Sequence, residues 1–124
     1  MARGRQGGHR YPRSARVGET LREIIAEELV RIDDERLAFV TVTGIDVDQE
    51  LNRAIVFYDS LDGEDGDEAI LEALGSHRVR LQSSIAKQIR AKKTPILSFE
   101  PDAAIRHAER IDEILRADRE RDRD

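Results

Sequence analysis

Arg78, Arg80, Lys87, Arg90, Lys92 and Lys93 fall within sixteen residues, and no carboxylate interrupts them. Cations at that density are suited to holding phosphates. Each contact with a nucleic-acid backbone releases a condensed counterion and so favours association. Ser83 and Ser84 stand among them. Their small hydroxyls let a backbone come close and can donate to phosphate oxygens. A second acid-free stretch, residues 1–16, carries Arg3, Arg5, Arg10, Arg13 and Arg16. Residues 17–76, by contrast, hold four Arg against seventeen acids, and the 124-residue chain has a formal net charge of −5. Two basic segments flanking an acidic body point to a polyanion partner for the basic parts.

Other chemistries find little support. Cysteine is absent, which excludes disulfides and thiolate sites. His9, His77 and His107 show no metal-ligand spacing, and there is no nucleophile elbow or phosphate-binding Gly-rich loop. The acidic stretch "LDGEDGDE" lacks the ligand spacing of a calcium loop. The expectation is therefore no catalysis, no metal and no cofactor. No apolar run approaches the roughly 18–20 residues that span a bilayer, and the N-terminus lacks the apolar centre of a secretory signal. A cytoplasmic protein without membrane contact is expected.

The basic row needs a rigid support, and the apolar pattern supplies one. Val17, Leu21, Ile24, Ile25, Leu29 and Ile32 form one helical stripe, with Glu19, Glu23 and Glu27 on the outer face. "FVTVTGIDV" (39–47) and "RAIVFYDS" (53–60) alternate as strands, and their short link predicts an antiparallel hairpin. In the first strand the alternation changes phase at Thr43-Gly44. A β-bulge there would bring Val40, Val42, Ile45 and Val47 to one face. A helix over 67–75, a break at Gly75-Ser76 and a second helix over 77–91 follow. Ile96–Glu100 reads as a third strand. Asp102 can cap a last helix with the stripe Ile105, Ala108, Ile111, Ile114 and Leu115.

On the basic helix, Leu81, Ile85, Ala86 and Ile89 share the side that can dock on a sheet, while Arg80, Lys87 and Arg90 point away. No acid stands at i±3 or i±4 to neutralise them. The predicted architecture is α+β: a three-stranded sheet with helices packed on one face. Residues 1–14 read as a disordered basic arm, 15–116 as the folded domain and 117–124 as a flexible charged tail.

"LQSSIAKQIRAKKTPILSFEPD", "VTVTGIDVDQELNRAIVFY" and the leading "RVGETLREIIAEELV" together resemble the ribosome-binding factor A family. The resemblance is carried above all by Lys92, Pro95, Leu97, Phe99 and Asp102. It implies a KH-like type II fold, in the order α-β-β-α-α-β plus a C-terminal helix. It also implies a monomeric, non-catalytic factor for the 30S ribosomal subunit. Such a factor binds 16S rRNA near the 5′-terminal helix and assists late 30S maturation and 16S rRNA processing. Ribosomal proteins are further candidate partners. The RNA-binding residues expected are Arg78, Arg80, Ser83, Ser84, Lys87, Arg90, Lys92 and Lys93, with the arm arginines as auxiliaries. The family's Ala-x-Gly between the paired helices is His77-Arg78-Val79 here, and Gln82 stands where the family usually has Arg. Read without the resemblance, a DNA-binding helical module or a protein-interaction adaptor are the alternatives.

Overall fold

A computed structural model describes residues 13–89 and 93–123. The elements run α1 (Arg13–Arg31), β1 (Val40–Val47), β2 (Arg53–Ser60), α2 (Asp67–Ser76), α3 (Arg78–Gln88), β3 (Ile96–Pro101) and α4 (Ala103–Asp122). Two single 3-10 turns, Glu35–Leu37 and Gly63–Gly66, fill the loops before β1 and before α2. The basic arm, apart from Arg13 and Ser14 at the start of α1, lies outside the described residues. Helix α4 continues to Asp122, through most of the segment 117–124 that the sequence reads as a tail.

The sheet has the order β1-β2-β3, with β1 antiparallel and β3 parallel to β2. The phase change in β1 is resolved as the sequence predicts. The register to β2 slips between Val42 and Gly44, so Val42 faces Tyr58 while Ile45 faces Val56 and Val47 faces Ala54. The extra residue lets a pattern that would split across two faces fall on one. That face, completed by Leu97 and Phe99 of β3, meets Leu21, Ile24 and Ile25 of α1, Ile70, Ala73 and Leu74 of α2, and Leu81 and Ile85 of α3. Burying each such side chain is worth roughly 1.5–3 kcal/mol, so the packed layer of α1, α2 and sheet is a rigid base for α3. The α+β architecture with helices on one sheet face is thus present.

Three details differ from the sequence reading. The break between the paired helices sits at His77 (φ −100°, ψ 6°), just after Gly75-Ser76. The polypeptide stays nearly continuous there, because His77 N–H donates to Ala73 and Leu74 carbonyls and Leu81 N–H donates to His77 O. Helix α3 ends at Gln88 rather than Ala91, since Ile89 is extended (φ −111°, ψ 126°), and Ala86 is exposed rather than docked.

The third difference is the largest. The α4 stripe, expected on the core, faces outward: Ile111, Ile114 and Leu115 are 44%, 57% and 52% exposed. The opposite, polar side of α4 meets the body. There Arg106, 8% exposed, donates to Asp59 Oδ1 (3.1 Å) and Asp67 Oδ2 (2.6 Å), and Arg110 pairs with Glu64 at 3.0 Å. Taking Ile105 as 0°, Arg106 lies at about 100° while Ile111 and Leu115 lie at about 240° and 280°. Inserting Arg106 therefore turns the stripe away. The start of α4 is fixed by Asp102, which accepts from Ile105 N–H (3.1 Å) and from Thr43 Oγ1 (2.6 Å). These bonds, Thr43 first, hold the Asp102 carboxyl below the usual carboxylate range.

Candidate nucleic-acid interface

Leu81 and Ile85 anchor α3 on the core and leave the opposite side free. Arg80, Ser83 and Lys87 are exposed there, Arg78 is exposed at the first position of the helix, and Ser84 is half-buried toward α1. Arg90 and Lys92 lie outside the described residues. Lys93 is exposed, and its ammonium donates to the Asn52 side-chain carbonyl in the β1–β2 turn. Asp48 shapes that turn by accepting from Asn52 N–H (2.7 Å) and Arg53 N–H (3.3 Å). Leu51 takes a left-handed conformation there (φ 60°) while packing against the core. A left-handed leucine costs free energy, and its apolar contact offsets that cost.

Topology brings the start of α1 and residue 93 to one end of the sheet. A side chain at Gly18 of α1 would lie 3.5 Å from Val47 Cγ2, so α1 begins over the Val47 end of β1. Ile96 N–H bonds Asn52 O at 2.9 Å, so residue 93 sits at the same end. Arg16, exposed in the first turns of α1, and Lys93 therefore share an end of the molecule. The acidic 62–68 segment precedes α2 at the other end, beyond Ser60. The five carboxylates of that segment are thereby kept away from Arg16 and Lys93.

One carboxylate does enter. Glu28 of α1 accepts from Arg80 Nε at 2.7 Å, and Arg80 Nη2 also reaches the Arg31 carbonyl at 3.4 Å. Arg80 chiefly, then the Ser84 hydroxyl and Arg31, hold the Glu28 carboxyl below its ordinary range. The i±3 and i±4 spacings of a single helix do not contain this pair, because its members are 52 residues apart. The signal was nonetheless in α1. Glu28 lies on the apolar stripe, three residues after Ile25 and four before Ile32. A carboxylate on a buried stripe needs a cationic or hydrogen-bonded partner.

His77 carries a second unforeseen contact. Its Nε2 lies 2.9 Å from Asp34 Oδ2, and Arg36 Nη2 lies 2.7 Å from the same oxygen. Arg36 first, and His77 second, depress the Asp34 carboxyl strongly. The interhelical residue is thereby clipped to the loop that follows α1. Gln82, which replaces a cation expected from the family pattern, serves the fold: its Oε1 accepts from Leu97 N–H at 3.3 Å.

Among the described residues no group of His, Asp or Glu is placed to hold a metal ion. Also among them, no helix is long and apolar enough to cross a membrane.

Comparison with known proteins identifies the family. The family model described as "Ribosome-binding factor A" matches residues 13–115. A protein of that name from Rubrobacter xylanophilus is 41% identical over 105 residues, covering 84% of this chain and 85% of the relative. One from Beutenbergia cavernae is 39% identical over 111 residues, covering 89% and 70%. The crystal structure of ribosome-binding factor A from Thermus thermophilus superposes with a TM-score of 0.64 at 27% identity, covering 71% of this chain and 93% of that one. A Thermus thermophilus homology model, fitted into the cryo-EM map of a 30S–RbfA complex, superposes with a TM-score of 0.59 at 28% identity, covering 70% and 92%. By sequence, by fold and over nearly all of its folded part, this chain belongs to the ribosome-binding factor A family.

Proposed function

We propose that the protein is a non-catalytic assembly factor that binds the 30S subunit in the cytoplasm as a monomer. It meets 16S rRNA near the 5′-terminal helix and assists late 30S maturation and 16S rRNA processing. The carrying observation is the cationic side of α3, held by Leu81 and Ile85, with Arg80 and Lys87 exposed on it and Arg78 exposed at the start of the helix. Placement of a Thermus thermophilus relative in a 30S map supports the same partner. Recognition is by phosphate contact and shape. The chain has few aromatics, and none lies in α3, so there is little to stack bases on. Arg78, Arg80, Ser83, Ser84 and Lys87, with Arg90, Lys92 and Lys93 beyond the helix, are the contacts assigned. Arg3, Arg5, Arg10, Arg13 and Arg16 add affinity with little specificity. Domain roles follow: an arm at 1–14, the RNA-binding unit at 15–116 and a charged extension at 117–124.

Ultraviolet crosslinking to purified 30S subunits, followed by mapping of the modified nucleotides, tests this. The expected crosslinks run from the α3 row to 16S rRNA around the 5′-terminal helix. Firm binding with every crosslink elsewhere on the protein would overturn the assignment.

Glu28 gives a finer test. In the free protein it occupies Arg80 as a phosphate would. The variant Glu28→Gln should release Arg80 for RNA and steepen the dependence of log K on log salt by about 1. Filter binding across a salt series reads the slope. An unchanged slope would remove Arg80 from the phosphate contacts.

A further inference from the structure

The rotation of α4 that turns its apolar stripe outward also builds a groove that contains none of the basic row. It has a volume of about 610 Å³ and opens between the outer face of β1, the segment after β2 and α4. That volume falls in the usual range of binding sites, about 300–1,000 Å³. Its large apolar side chains are Phe39 and Leu61, which are 65% and 79% exposed, with Thr41 and Thr43 also in the lining. Large apolar side chains left this open beside one another mark contact surfaces.

The rest of the lining is anionic. Asp59, Asp62, Glu109, Asp112 and Glu113 line it, against a single cation among the described residues, Arg116. Burial, and then the neighbouring Asp59, push the Glu109 carboxyl above its ordinary range. Five crowded carboxylates thus outnumber the internal cations near them. Arg106 does bond Asp59, but its other oxygen contact is Asp67, outside the groove lining. The Ser60 hydroxyl in the same lining is buried and has no hydrogen-bond partner among the described residues.

These features select one class of occupant. Phosphate is repelled by five carboxylates, so nucleic acid does not fit. A small cation would leave Phe39 and Leu61 uncovered. We propose that this groove docks an Arg- or Lys-rich extended segment of a partner protein, one that also carries apolar side chains. Cations of the segment meet the carboxylates, and its apolar residues cover Phe39 and Leu61. The inference goes beyond RNA binding and stands apart from it, since the groove lining shares no residue with the basic row.

The probe is a fluorescein-labelled dodecapeptide of alternating Arg and Leu, titrated into the full chain and read by fluorescence anisotropy. Asp112→Lys combined with Glu113→Lys should weaken binding at least tenfold. The same charge change on α2, Glu68→Lys with Glu72→Lys, should leave binding within twofold. Leu61→Ser, at an exposed site where folding is not at stake, should weaken it about threefold. An Arg–Gly peptide of equal length should bind correspondingly less well. Equal weakening by the groove and α2 reversals would overturn the proposal, because binding would then be diffuse electrostatics. Displacement of the peptide by a uridine dodecanucleotide would overturn it too, as would self-association in sedimentation that the groove variants abolish. Arg78→Glu with Lys87→Glu should not alter peptide binding, so failure of the RNA interface and failure of the groove are separable.

Discussion

Replacing Arg78 and Lys87 together by Glu is expected to weaken binding to 30S subunits at least a hundredfold while the far-ultraviolet circular dichroism and thermal midpoint stay within error. Both side chains are exposed, so the fold has little stake in them. Two reversals change the local charge by four. They remove two phosphate contacts and put two carboxylates in their place. Each lost contact also removes about one counterion from the salt dependence of binding, so log K against log salt should flatten by about 2. The partly buried Ser84, already shared with Glu28, should matter less. If the double variant binds 30S subunits as tightly as the unaltered protein, the α3 row has no part in recognition, however the family relation stands.

The largest stability effect should come from a residue far from that row. Arg106→Ala removes the cation between Asp59 and Asp67, whose side chains are 17% and 20% exposed. Tyr58, fully buried, donates its hydroxyl to Asp67 Oδ1 at 2.8 Å, and the guanidinium of Arg106 lies 5.7 Å from its ring centre. Burial tends to raise Asp67, but Arg106 and Tyr58 outweigh it and hold the carboxyl below the ordinary range. Without Arg106, two half-buried carboxylates face each other beneath α4. Removing one partner of a buried ionic cluster typically costs about 3–5 kcal/mol, a large share of the roughly 5–15 kcal/mol that holds such a domain. Urea unfolding at neutral pH measures this. In an Asp67→Asn background the same substitution should cost clearly less, since one stranded charge is gone. A loss under about 1 kcal/mol for Arg106→Ala, against the range typical of buried ion clusters, would mean that α4 is held by something other than this cluster.

The two substitutions also separate what holds the molecule from what it offers to partners. The α3 row stands on α1, α2 and the sheet, through Leu81 and Ile85. Helix α4 stands on ions and on the Asp102 cap. Loss of Arg106 should therefore disturb the acidic groove before it disturbs the basic row.

Most of the architecture was readable from local pattern. The stripe Leu21–Ile24–Ile25 specified α1. The phase change at Thr43-Gly44 specified a bulge, because strand side chains alternate with period two and only an inserted residue can realign them. The segregation of charge along the chain specified where the cations stand. What escaped the sequence was which charged side chains meet across elements. Glu28 with Arg80, Asp34 with His77, and Arg106 with Asp59 and Asp67 each join elements whose proximity only packing creates. The rotation of α4 belongs with them. An amphipathic pattern says that a helix has two faces, but which face meets the body depends on what the body presents. Here the core was already closed by three helices, and the rim offered α4 two carboxylates in need of a cation. An ion pair at that rim decided what hydrophobic periodicity by itself could not.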